Sequence, residues 1–178
     1  MKTTFLIALV AAFLSILVTL PSLLHNSSAA SPAQKPAPGK DRPMTARARG
    51  TFEVKLAALP TSDSSEGSPL GCMSIDKQIH GDLEATSKGE MLTAETAVKG
   101  SGAYVAIERI TGTLSGRSGS FVLQHLGTMT RGVPQLSITV VADSGTGQLA
   151  GLTGKFLINV ADGKHSYEFN YSLPDMPD

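Results

Sequence analysis

The stretch YVAIERITGTLSGRSGSFVLQHLGTM, from Tyr104 to Met129, constrains the fold more than any other part of the chain. Apolar and polar residues alternate on both sides of a short glycine-bearing centre, which is the pattern of a β-hairpin. A Gly116-Arg117 loop predicts a type II′ turn, because glycine supplies the positive φ needed at the first central position. That turn sets Ser115 beside Ser118 and, counting back, Glu108 opposite His125. Any other even-length loop slides the partners but keeps both residues on one face. The same face carries Tyr104, Ala106, Ile110, Gly112, Leu114, Phe121, Leu123 and Gly127. The opposite face carries Val105, Ile107, Arg109, Thr111 and Thr113 with Ser120, Val122, Gln124, Leu126 and Thr128. Most of the hydroxyls and the arginine lie there, so the Glu108 face reads as the buried one.

Similar short alternations recur along the chain, with no long 3.6-residue pattern after residue 45. RGTFEVKLAAL sets Phe52, Val54 and Leu56 against Thr51, Glu53 and Lys55. CMSIDKQIH places Met73, Ile75 and Ile79 on one side with Lys77 among them, and DLEATSKGEML follows. In LSITVV, residues Leu136, Ile138 and Val140 fall on the face of Phe121 and Leu123. KFLINV and HSYEFNYSL end the series, the latter alternating Tyr167, Phe169 and Tyr171. With eighteen glycines in the chain, these runs predict an all-β domain of about eight antiparallel strands. A single closed barrel is the economical way to remove their edges. DSGTGQLAGLTG, from Asp143 to Gly154, superficially suggests a phosphate loop, but strand residues follow it instead of a helix. It reads as a glycine-rich corner of the barrel.

The segment before the domain has another character. Lys2 precedes an uncharged run from Phe5 to Leu20, Pro21 interrupts it, and small residues follow in NSSAAS. Residues 1–30 are therefore expected to be a hydrophobic leader helix, either a signal peptide or a signal anchor. Residues 31–45, SPAQKPAPGKDRPMT, read as a Pro-rich flexible linker, and 46–178 as the barrel domain. Both versions of the leader place the domain outside the cytoplasm, periplasmic or secreted, with the membrane met only through the N-terminal segment.

The formal net charge is zero, and about −1 once Lys2 leaves with a leader, which argues against nucleic acid as a partner. Absence of tryptophan removes the usual stacking platform for bases or sugars. Cys72 is the only cysteine, so no intramolecular disulfide forms, and it reads as a small buried hydrophobe in a strand. Four histidines without a close pair predict no metal site, and no motif calls for a cofactor.

MSIDKQIHGDLEATSKGEML, the Tyr104 to Met129 hairpin, DSGTGQLAGLTG and DGKHSYEFNYSL, taken in order, resemble the bacterial domain of unknown function 3224 family. The resemblance spans nearly all of residues 46–173. It implies a barrel of the allene oxide cyclase type and no established activity.

Three functions are compatible with such a barrel. It binds a small apolar molecule, lipid-like or isoprenoid-like, inside the lumen, where Tyr104, Ile110, Phe121, Leu123, Ile138 and Tyr171 are the expected lining. Alternatively it is a cofactor-independent isomerase or cyclase, with Glu108 orienting His125 for acid and base work. In the third case side chains fill the barrel and its surface mediates an interaction. Lys77 and Glu84 face one another if His80-Gly81 is a two-residue loop, which predicts a surface ion pair.

Overall fold

The structure, a computed structural model, describes residues 44–174. Its strands are β1 (Met44–Leu59), β2 (Leu70–Gly81), β3 (Leu83–Glu95), β4 (Gly102–Leu114), β5 (Arg117–Thr130), β6 (Val133–Val140), β7 (Thr153–Ala161) and β8 (Lys164–Leu173). They close an antiparallel barrel in chain order, with β8 returning to β1. A 3-10 turn at Gly147–Leu149 is the one helical segment among the described residues. The leader at 1–30 and most of the linker at 31–45 lie outside the described residues, and β1 already begins at Met44, slightly before the expected domain start.

The central hairpin turns at Ser115-Gly116 and not at Gly116-Arg117. Both turn residues have positive φ, 47° and 84°, as a type I′ turn requires. Leu114 therefore pairs with Arg117, Ala106 with His125, and Glu108 with Leu123. Glu108 and His125 are diagonal neighbours, correcting the directly opposed register. The slip is even, so both residues keep the same face. Arg131-Gly132 and Asp162-Gly163 make the same turn for β5–β6 and β7–β8. A type I′ turn has the twist of its flanking strands, and placing glycine second satisfies the more strained position.

The face assigned to the interior is indeed buried: Ile110, Leu114, Phe121 and Leu123 are each 1% exposed, whereas Val105 and Ile107 on the other side are about half exposed. Cys72 also points outward and is only partly buried, which corrects its reading as a core residue. It sits at an even position of β2, out of step with the buried Met73, Ile75, Lys77 and Ile79.

Two apolar clusters divide the interior. The larger is aromatic: Phe121 stacks on Phe169 at 5.6 Å and Phe156 on Tyr167 at 5.0 Å, with Leu83, Leu114 and Leu173 around them. The Asp143–Gly154 corner closes this end. Its Leu149 and Leu152 are 1% and 0% exposed, and its hydroxyls tie down β5. Val122 N donates to Ser144 Oγ at 3.1 Å and Ser120 N to Thr146 Oγ1 at 3.0 Å. Fully burying each such large side chain stabilises the barrel by about 1.5–3 kcal/mol.

The smaller cluster comprises Met73, Ile75, Met91, Tyr104, Ala106 and Met129, with Val54, Leu56 and Leu136 half-buried against it. The barrel wall is least complete beside this half. The β1–β8 ladder stops at Phe52 opposite His165, while β1 continues to Leu59 paired only with β2. Thr139 opposite Lys155 is the whole of the β6–β7 ladder.

Candidate functional site

Between the two apolar clusters lies a layer of buried polar side chains. Alternation along β2 carries Lys77 inward with Met73, Ile75 and Ile79, along β3 it carries Ser87, and β4 and β5 supply Glu108 and His125. Lys77 Nζ donates to Glu108 Oε2 at 2.7 Å, with side chains 8% and 0% exposed. Ser87 Oγ donates to Glu108 Oε1. His125 Nε2 lies 3.0 Å from Oε2, within ion-pair distance but off the direction of a hydrogen bond. On its far side the Lys77 ammonium stands 5.1 Å from the centre of the Phe52 ring, a cation–π contact.

Burial by itself would raise the Glu108 pKa, but the Lys77 ammonium and His125 outweigh it and bring the carboxyl down to about 2. His125 moves the other way from a typical carboxylate partner. Its burial, reinforced by nearby Lys77, pulls its pKa below the ordinary value, and contact with Glu108 only partly opposes this. At neutral pH the layer is thus a carboxylate neutralised by one ammonium, beside an uncharged imidazole.

Toward the methionine-lined half, the inner face bears further polar atoms that lack a hydrogen-bond partner: Thr93 Oγ1 and Glu95 Oε1, both on β3. Thr93 stands opposite Tyr104 in the register, and Glu95 opposite Gly102. Among the described residues no group of His, Cys, Asp and Glu is arranged to hold a metal ion.

The structure brings Glu108 and His125 together, and it places all six expected lining residues indoors. Only Tyr104 belongs to the methionine-lined half; Ile110, Phe121, Leu123, Ile138 and Tyr171 belong to the aromatic cluster. Lys77 departs from expectation. It pairs with Ser87 across the β2–β3 ladder and bonds to Glu108, not to Glu84. Glu84 instead accepts from Gly81 N at 2.7 Å and contacts His80 at 3.2 Å on the surface. The last β2–β3 pair is Ile79 with Ala85, where a two-residue loop would pair Ile79 with Asp82, and this odd shift exchanges the β3 face that meets Lys77. Sequence reasoning missed Lys77, Ser87, Thr93 and Glu95 as interior groups. The signal for Lys77 was present, since it shares the odd positions of Met73, Ile75 and Ile79.

Comparison with known proteins supplies kinship without an activity. The profile of the family described as protein of unknown function (DUF3224) matches residues 48–171. A solved structure described as a protein with unknown function from that family, from Shewanella oneidensis MR-1, is 47% identical to this chain. It superimposes with a TM-score of 0.69, and the alignment covers 75% of this chain and 100% of that one. No curated protein matches.

Proposed function

The chain belongs to the DUF3224 family, and on the strength of its two-part interior we propose that it is an exported barrel that binds a small, mainly apolar molecule in the methionine-lined half. The observation that carries this reading is the contrast between the halves. The aromatic end is stacked, strapped and plugged by Leu149, whereas the other end is lined by Met73, Met91 and Met129 beside the weakest part of the wall. Methionine is unbranched and polarizable, so such a lining repacks around a guest at little cost. Those methionines are 1%, 2% and 5% exposed, so a ligand enters by displacing them. The leader sequence supports placement of this binding outside the cytoplasm.

An isomerase or cyclase using Glu108 and His125 draws less support from the same geometry. Glu108 would have to take a proton while held by Lys77 and Ser87, against the charge that keeps it ionised. A filled barrel serving as an interaction scaffold describes the aromatic half well and leaves the methionine lining without a reason.

Native mass spectrometry of the full chain tests the binding reading. The parent is expected to carry a small-molecule adduct, or to take up an added long-chain alcohol, and Ala106→Phe to lose it while keeping a β-sheet circular dichroism spectrum. A parent that takes up neither overturns the proposal.

A further inference from the structure

The two unpartnered oxygens of β3 constrain what kind of molecule the methionine-lined half would take. Thr93 is 4% exposed, and strand alternation carries it and Glu95 to the inner face in step with Met91. In the register Thr93 lies beside Tyr104, and Glu95 beside Gly102, which is itself opposite Met129. Both oxygens are thus at the end of the methionine-lined half away from the polar layer, where β3 reaches its loop. Glu95 as a whole is only half-buried, but its Oε1 is shut off from solvent without a donor, and such an oxygen is costly to bury. Lys77, the buried ammonium among the described residues, is already committed to Glu108 and cannot supply the missing charge. Within the described residues Glu95 forms no ion pair.

Resting on the binding reading above, we infer that the ligand is an amphiphile with a primary ammonium head, held by Glu95 and Thr93 at the mouth, and an alkyl tail running over Tyr104 toward Ala106. An ammonium carries three donors and a positive charge, which matches two acceptor oxygens, one of them anionic. A carboxylate-headed lipid would set a second anion against Glu95, and an alcohol would satisfy only one of the two acceptors with its single proton. The alkyl tail meets Met91, Met129 and Met73, which have no polar requirement.

Three linear probes of equal chain length, an alkylamine, an alcohol and a fatty acid, separate these outcomes when titrated into the full chain and followed by native mass spectrometry and thermal shift. The alkylamine is expected to bind about tenfold or more tighter than the alcohol, with the fatty acid weakest, as a charge-assisted hydrogen bond implies. Glu95→Gln should bring the amine down to the level of the alcohol and leave the alcohol unchanged. Equal affinity of amine and fatty acid, or an amine preference that survives Glu95→Gln, overturns the inference while the binding reading stands. If no probe binds the parent, the binding reading itself falls. Should Glu95→Gln unfold, Thr93→Val provides the second test, with a smaller loss of amine affinity expected and an unchanged affinity counting against the assignment.

Discussion

Removing the ammonium of Lys77 would leave the 0% exposed Glu108 carboxylate with no cation to neutralise it. Burying an ion costs several kcal/mol, and the attraction between partners repays that only while both are present. Lys77→Met is therefore expected to destabilise the barrel by about 3–5 kcal/mol in urea denaturation, and Lys77→Met with Glu108→Leu to recover most of it. Near-additive losses in that double variant would show that the pair stabilises the fold outright. The layer also makes stability depend on pH. Burial keeps His125 neutral in the folded chain where an unfolded histidine takes up a proton, so stability is full above the ordinary histidine value of 6.5 and falls as pH drops below it. The slope is at most about 1.4 kcal/mol per pH unit. Glu108, with its pKa brought down to about 2 from 4.5, adds a second loss on acidification across that interval. His125→Gln should flatten the denaturation midpoint between about pH 6.5 and 5 and leave the lower decline in place.

At the scale of single hairpins, the turns decide the pairings. Ser115, Arg131 and Asp162 all adopt positive φ ahead of a glycine, and of the three Arg131 is the residue least suited to it. Its backbone N donates to Ser101 Oγ at 3.0 Å, a bond that does not depend on the side chain. Arg131→Asn should stabilise the protein by about 0.5–1 kcal/mol, read as a higher denaturation midpoint at constant slope. Ser115 offers no comparable gain, because its Oγ accepts from Tyr171 at 3.1 Å and replacement would break that tie. The hairpin faces were legible in the sequence because alternation along a strand is local. The two-residue slip from Gly116-Arg117 to Ser115-Gly116 was not, since both turn types use a glycine and only the geometry of both strands selects between them. For β2–β3 the misreading was odd, and an odd slip redirects a partner from surface to core, as Lys77 demonstrates.

Over the whole molecule, resistance to opening should follow the ladders. β3, β4 and β5 are paired almost along their full lengths, while β6 and β7 share one pair, Thr139 with Lys155. Hydrogen exchange should find the facing amides of β6 and β7 exchanging well before those of β4, through local opening that leaves the rest folded. Uniform exchange across all eight strands would mean that the seam is as stable as the remainder. The same opening exposes Leu136 and Val54, which border the methionine-lined half.

The all-β class and the inward residues of β2, β4, β5 and β6 follow from local period and turn chemistry, and the family kinship from the resemblance of long blocks in order, so all three are legible in the chain alone. The sequence also placed Glu108 and His125 on one face, a result robust to any even error in register. What Glu108 touches depends on closure of the barrel. Lys77 comes from two strands away and reaches it because the closed sheet curls β2 and β4 toward a common interior. The split between a stacked aromatic end and a methionine-lined end likewise needs closure: Met73 and Met91 are partners across the β2–β3 ladder, but Met129 of β5 joins them only across the lumen.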